Sequence, residues 1–358
     1  MPKDKHIFLD RSAVYYGATG TGKSYLVREE LFLIKDDVER ACLFSPTNDV
    51  NGDYDGIVHP AVIHRKVAKQ AIEKLFTEQQ RRARLHTIVH SLEYIKPIFH
   101  MCKNIPECYH DYYRILRLTE DIARSAQTRI EILTRNSGVT FDERESQKKS
   151  IEEQCKTAVI DRYRELIIKF APVLEQCQQI KENKALLTVV RFININPRTV
   201  VIFDDCISEL NSIMGKNKDG TQSVLSDMFT RGRWAYMTII ITTQDDTLIH
   251  TLIRKNSYVS LFTDPECAQH FMENKANSII KEKRARANQA ITAVFGGLAH
   301  ENHKKLMYYR GGSAENWFTY TIAQTYGAFR IGSPAFWIIC EKASQSQQDD
   351  QDEFLASF

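Results

Sequence analysis

Short apolar runs, each closed by a polar turn and followed by a helix-spaced segment, recur at both ends of the chain. Ala13-Val14-Tyr15-Tyr16 is one such run. After it, Tyr25 to Ile34 has helical spacing, with Leu26, Glu30 and Leu33 on related turns. His6-Ile7-Phe8-Leu9 reads as an earlier short strand. Ala41-Cys42-Leu43-Phe44 reads as a buried strand closed by Ser45-Pro46-Thr47-Asn48, with a Gly- and Asp-rich loop over 49–60. Strand text returns at Leu186 to Ile195, Thr199 to Phe203, Met237 to Thr243 and Tyr258 to Phe262. Leu225 to Arg231 is a short helix, 265–293 is mostly helical, and 305–340 is aromatic-rich with strand character.

Between these ends the pattern changes. From about 61 to 184 Gly is nearly absent and long charged-apolar segments take over. Ile115, Leu118, Ile122, Ala126, Ile130 and Leu133 step by three or four, as do Ile151, Cys155, Ala158 or Val159, Arg162, Leu166 and Phe170. With a turn at 136–140 they predict an antiparallel helical hairpin, its second arm kinked or ended by Pro172. Strands alternating with helices predict an α/β core with a mostly parallel sheet flanked by helices, and a functional site outside the strands' carboxyl ends. The expected division is a core of 1–60 and 185–340, a helical insertion of 61–184, and an acidic tail, 341–358, without structure.

Composition narrows this only a little. A chain of 358 residues, 43% hydrophobic and 26% charged, is ordinary for one or two globular domains. A net charge of +3 is too small to imply a polyanion partner by itself. Locally the balance is lopsided: over 61–85, Arg65, Lys66, Lys69, Lys74, Arg81, Arg82 and Arg84 stand against Glu73 and Glu78. A second basic run holds Lys281, Lys283, Arg284 and Arg286, and either face suits phosphate contact or plain solvation. Eight scattered cysteines form no secreted disulfide pattern, no apolar run approaches the ~18–20 residues of a membrane span, and Met1-Pro2-Lys3-Asp4-Lys5 opens no signal-peptide core. A soluble, intracellular protein is expected. His100, Cys102, Cys108 and His110 have a spacing zinc could use, weighed against coincidence in a chain with 11 His.

Three stretches carry chemistry. Gly17-Ala18-Thr19-Gly20-Thr21-Gly22-Lys23-Ser24 fits G-x-x-x-x-G-K-[ST], between a strand and a helix. Its glycines let the backbone approach a polyphosphate, and loop amides with the helix N-terminus, through Tyr25, would cradle it. Lys23 would place a cation on the β- and γ-phosphates, and Ser24 would hold Mg. Asp204 and Asp205 follow the apolar run Val200-Val201-Ile202-Phe203. There Asp204 can join the Mg shell and Asp205 can orient or deprotonate water. Gln244 ends Ile239-Ile240-Ile241-Thr242-Thr243, where its amide could meet the γ-phosphate or the water. Arg231 and Arg233, with Arg254 a weaker third, are candidates for an arginine supplied to a neighbouring subunit.

In this order these stretches resemble the FtsK/HerA superfamily of P-loop ATPases. More narrowly, the chain is similar to the poxvirus-like genome-packaging ATPases of large eukaryotic DNA viruses and their virophage and Polinton relatives. The matching text is GATGTGKS at 17–24, FSPTN at 44–48, VVIFDDC at 200–206, and FTRGRW with IIITTQ between 229 and 244. The resemblance implies a RecA/ASCE-like core, with the helical insertion between the second core strand and the acid-bearing Walker B strand. It gives Lys23, Ser24, Asp204, Asp205 and Gln244 the roles above. It also implies ATP and Mg as ligands, a homo-oligomeric ring, usually of six subunits, and duplex DNA as substrate. A capsid or portal-vertex protein would be a partner, and the setting the host cytoplasm (a viral factory), the nucleus or the virion. A regulatory GTPase is disfavoured, because Asn274-Lys275-Ala276-Asn277 lacks the guanine-reading acid. A nucleotide-gated scaffold, whose helical hairpin binds partners, is the alternative to a motor.

Overall fold

The computed structural model describes residues 4–135, 138, 140–215, 222–277, 279–296, 304–312, 316–322, 324 and 326–356, with side chains through 345. In chain order, β1 (Ser12–Tyr16) leads into α1 (Lys23–Ile34). β2 (Arg40–Phe44) is followed by one helical turn, α2 (Asn48–Asn51), and a two-residue strand, β3 (Ile63–His64). Five helices come next: α3 (Lys69–Val89), α4 (Leu92–Met101), α5 (Tyr109–Arg135), α6 (Phe141–Leu174) and α7 (Gln178–Glu182). After α8 (Lys184–Phe192) the chain returns to strands with β4 (Thr199–Phe203). α9 (Ile207–Ile213), α10 (Val224–Arg231), β5 (Met237–Thr243), α11 (Thr251–Asn256) and β6 (Val259–Phe262) alternate from there. α12 (Pro265–Glu273), α13 (Lys281–Phe295), β7 (Lys304–Tyr309), β8 (Phe318–Ile322) and α14 (Pro334–Ala356) complete the chain.

Among the described residues eight strands form one sheet in the order β3-β2-β4-β5-β1-β6-β7-β8. Pairing is parallel from β3 through β6 and antiparallel only at β6–β7 and β7–β8. This is the expected α/β class, a mostly parallel sheet flanked by helices, in which β5 separates the loop-bearing β1 from the acid-bearing β4. Both faces are covered, which is why these strands read as unbroken apolar runs. Val14, Tyr16, Val201, Phe203 and Ile239 pack into one core. Their alternate neighbours Ala13, Tyr15, Val200, Ile202 and Ile240 pack into the other.

The chain divides into two compact units, Met1–Ala83 with Pro197–Phe358, and Arg84–Asn196. The expected insertion limits of 61 and 184 therefore move. Residues 63–64 pair with β2, and the first turns of α3 bury Ile72 and Phe76 in the sheet's core. Gln79, also buried, donates to the Pro197 and Ala235 carbonyls and accepts from Thr199 Oγ1, so its amide is fully used in holding α3 to the start of β4.

The second unit has a core of its own, with Ile98, Phe99, Ile115, Ile167 and Val189 wholly buried. There α5 and α6 pack side by side, and a capping box, Thr140 with Glu143, opens α6. Of the expected turn at 136–140, Asn136, Ser137 and Val139 lie outside the described residues. Pro172 is accepted within the last turn of α6, two residues before it ends.

Three local expectations are overturned. Leu186 to Ile195 is largely helix, because Leu186, Val189, Val190 and Ile193 recur at helical spacing and are the residues it buries, with Asn183 as its N-cap. His6-Ile7-Phe8-Leu9 is not a strand: Asp4 caps a 3-10 turn at Lys5–Ile7, which drops Phe8 and Leu9 into the core. From 341 the chain continues α14 through Ala356, a run that starts at Pro334 and contains no later Pro or Gly to break it. Among the described residues no helix is long and apolar enough to cross a membrane.

Candidate active site

Parallel strands deliver their carboxyl ends to one edge. Register sets Tyr16 opposite Thr243 and Phe203 opposite Ile241, so the loop after β1, the acids after β4 and Gln244 after β5 emerge together. With about 4.8 Å between neighbouring strands, β1 and β4 lie roughly 10 Å apart, within the span of a nucleotide triphosphate and its metal.

The loop is shaped for close approach. Gly20 and Gly22 have φ of 79° and 94°, a region that favours glycine, and Gly22 starts α1 without a side-chain cap. Gly17 has a second reason to be glycine: a Cβ there would lie 1.7 Å from Thr263 Oγ1. The Lys23 ammonium folds back on the loop, donating to the Gly17 and Ala18 carbonyls at 2.6 and 3.0 Å. Partial burial pulls its pKa below the ordinary lysine value, while Asp205, Asp204 and Asp264 oppose that shift. Lys23 thus feels both downstream acids. Ser24 follows in the first turn of α1, and Tyr25 is 55% exposed with the Arg28 guanidinium beside its ring.

The two acids differ sharply. Asp204 is buried, and burial pushes its carboxyl pKa up against the donors around it. Thr242 Oγ1 donates to Asp204 Oδ1 at 2.8 Å, and Ser45 Oγ reaches Oδ2 at 3.4 Å. Asp205 is exposed and held at φ 50°, an uncommon conformation for a residue with a Cβ. Its amide donates to the same Thr242 Oγ1 at 3.1 Å. One hydroxyl therefore fixes both acids. Gln244 Nε2 donates to Thr19 Oγ1 at 3.3 Å, bringing the amide just past β5 onto the glycine loop.

Sequence reasoning missed several contributors. Thr242 was hidden inside an apolar strand. Thr263 and Asp264, at the end of β6, brace the loop: Thr21 and Thr263 hydroxyls lie 2.5 Å apart, and Asp264 accepts from the Ala18 amide at 3.2 Å. The signal was available, since Asp264-Pro265 is a helix start, with Asp264 capping α12 through the Cys267 amide. Behind Gln244, Asp246 is 1% exposed. It accepts from Arg254, Asn274 and Asn277 and contacts His270 Nδ1 at 2.5 Å.

Other expected residues lie elsewhere. Arg231 and Arg233 flank the amino end of β5, whose seven residues span roughly 23 Å. They are outside their own chain's site, and Arg231 pairs with Asp227 at 2.8 Å. Arg254 is buried against Asp246, which removes it as a surface arginine. Cys102 and Cys108 are both buried, but His110 is exposed and His100 contacts Tyr112, so these four do not form a metal cluster. Among the described residues only Asp245, Asp246 and His270 have metal-ligand spacing, and Asp246 already spends both oxygens on protein donors. That trio is an ion-pair knot. The glycine cradle, Lys23 and the paired acids, by contrast, offer the donors and acceptors that a magnesium-bound polyphosphate requires.

No protein-family model matches the chain. Curated relatives include "Uncharacterized protein B354L" of African swine fever virus. In the Pig/Kenya isolate it is 24% identical over 352 residues, covering 94% of this chain and 88% of the relative. The Warthog/Namibia isolate matches at 24% over 354 residues, with the same coverage. Among solved structures, the genome packaging NTPase B204 from Sulfolobus turreted icosahedral virus 2, in complex with ATP-gammaS, is 10% identical with a TM-score of 0.38, over 88% of this chain and 98% of that one. Plasmid coupling protein TrwB in complex with ADP and Mg2+ is 12% identical with a TM-score of 0.34, over 92% and 88%. Scores this low carry no argument, and the fold stands on its own strand order.

Two outcomes follow. Thr242→Val, which keeps the shape and removes the shared hydroxyl, should cut nucleotide turnover by about tenfold or more while nucleotide affinity stays within a few-fold, read by steady-state kinetics and a binding titration. His270 has its pKa raised by Asp246, so this pair stabilises the fold fully below about pH 6.5, and that stability is lost as pH rises through the higher folded-state value. His270→Gln should flatten the fall in melting temperature above pH 6.5; an unchanged pH profile would remove the knot's role.

Proposed function

We propose that this protein is a Mg-ATP-dependent motor that moves duplex DNA, working as a viral genome-packaging ATPase. The observation that carries this reading is the meeting of Lys23, the Asp204–Asp205 pair and Gln244 at one sheet edge, with Thr242 joined to both acids. Loop amides from Gly17 to Ser24, the start of α1 at Tyr25 and the Lys23 ammonium bind the triphosphate. Ser24 and Asp204 hold Mg, which when bound neutralises charge on the phosphate oxygens. Asp205, exposed beside it, orients and deprotonates the attacking water. Gln244 bridges the phosphate end and the loop, a suitable place to register hydrolysis.

Arg231, Arg233 and an 81% exposed Trp234 form a polar-aromatic corner at the sheet's far edge. That placement favours contact with a neighbouring copy's nucleotide, as in a homo-oligomeric ring of six. For DNA, α3 supplies free cations. Its buried stripe of Ile72, Phe76 and Gln79 leaves Lys74 and Arg81 on the opposite, exposed face, and neither has an acidic partner among the described residues. A capsid or portal-vertex protein completes the packaging assembly, in the viral factory, nucleus or virion.

The scaffold alternative draws on Ile132 and Phe141, 64% and 75% exposed near the joined ends of α5 and α6, where an apolar partner could dock.

ATPase rate with and without duplex DNA, alongside particle mass with ATP, separates the two. DNA-stimulated turnover by a ring supports the motor, and nucleotide-dependent partner capture without stimulation supports the scaffold. Lys23→Ala should abolish triphosphate binding. Asp205→Asn should keep binding and lose turnover by about 10²–10⁴-fold, and normal hydrolysis in that variant removes the base. Lys74→Glu combined with Arg81→Glu should weaken duplex binding and reduce the slope of log affinity against log salt by about two, leaving DNA-free turnover unchanged.

A further inference from the structure

Tyr54 is a polar side chain without an assigned task, placed beside the most chemically committed acid in the protein. It lies in the Gly- and Asp-rich loop after α2 and is wholly buried. The loop is held by the FSPTN segment. Asn48 Oδ1 accepts from the Tyr54 amide at 3.1 Å, and Asn48 Nδ2 donates to Asp55 at 3.1 Å. Gly52 and Gly56, with φ of 62° and 73°, let the chain turn on either side. The ring packs in the same core cluster as Tyr15, Val200 and Ile202, so it is rigid and its hydroxyl has a fixed address.

Among the described residues that hydroxyl has no partner at hydrogen-bonding distance and angle. It is near enough to Asp204 to pull that carboxyl's pKa down, yet does not meet the distance and angle of a hydrogen bond. Buried hydroxyls in folded proteins are almost always satisfied, so an orphan in a site calls for a partner that arrives with the ligand. The metal acid's own bonds narrow the choice. Asp204 Oδ1 accepts from Thr242, while among the described residues Oδ2 receives the long contact from Ser45. Magnesium held through one or two carboxylates keeps several of its waters, and those waters need acceptors and donors around them.

We propose that Tyr54 is a positioning residue for the metal: its hydroxyl bonds a water in the hydration shell of the magnesium held by Asp204. Ser45, Asn48 and Tyr54 then form the β2-side wall of the metal site, as Thr242 forms the β5-side wall, which gives the FSPTN stretch a physical task. This rests on Asp204 being the metal acid.

Tyr54→Phe removes only the oxygen. Melting temperature should be measured for wild type and variant alone, with ADP, and with ADP plus Mg. Mn²⁺ affinity in the presence of ADP, read by electron paramagnetic resonance, is the second readout. The variant alone should melt at or above the wild-type temperature, since an unsatisfied hydroxyl has been removed, and ADP alone should stabilise both equally. The extra gain from Mg should shrink, and Mn²⁺ affinity should fall by about tenfold, the usual effect of losing an outer-sphere partner. Mn²⁺ affinity within twofold of wild type overturns the proposal. So does a lower melting temperature of the unliganded variant with metal affinity intact, which would make the hydroxyl structural. If wild type itself gains nothing from Mg, the reading of Asp204 fails instead, and the two failures are told apart.

Discussion

The Thr242 hydroxyl is the hinge of the site. It donates to Asp204 and accepts from the Asp205 amide, so the buried acid and the exposed one cannot move independently. It can do so because β5 lies between β1 and β4, which places a side chain of the middle strand within reach of whatever follows its neighbour. Thr242 is the penultimate residue of β5 and Gln244 the first residue beyond its end. One of them holds the acids and the other touches the glycine loop at Thr19. A displacement of the loop is therefore felt by the acids through a single short strand. Directly behind, Asp246 ties the end of that strand to α11, α12 and the turn after it.

Charge is distributed in two styles. Across α5 and α6 the cations are largely answered internally: Arg114 meets Asp111 and Glu165, Lys169 meets Asp111, and Arg162 meets Glu165. Such exposed pairs add little stability, but they leave that face close to neutral. On α3, Lys74 and Arg81 have no acidic partner among the described residues, although a similar density of charged residues surrounds them. A modest net charge can thus conceal one cationic face on an otherwise balanced surface.

Much of the core was legible in the sequence because parallel strands buried on both faces must be continuously apolar. Their polar successors then stand out, as Asp204 and Gln244 did. The conformation of the 17–24 loop was legible because its glycines answer a backbone need that other residues rarely meet. What escaped notice had a physical reason in each case. Leu186 to Ile195 is rich in β-branched residues, yet its apolar positions step by three and four, and burial of one helical stripe outweighed β propensity. Thr242 and Tyr54 sit among apolar neighbours and have polar meaning only once β4 and the loop after β2 lie alongside. Asp246 shared its stretch with Asp245, and nothing in the text told the buried acid from the half-exposed one.

Gly17 and Thr263 carry a consequence for how such a chain can diverge. Because the threonine oxygen occupies the space where the glycine would bear a side chain, the two positions are a matched pair across β1 and β6. A methyl group at 17 would need bulk given up at 263 and would still carry the strain of a φ of 153°, with Thr21 and Asp264 oxygens close by. Loss of the threonine alone therefore does not free the glycine position to change.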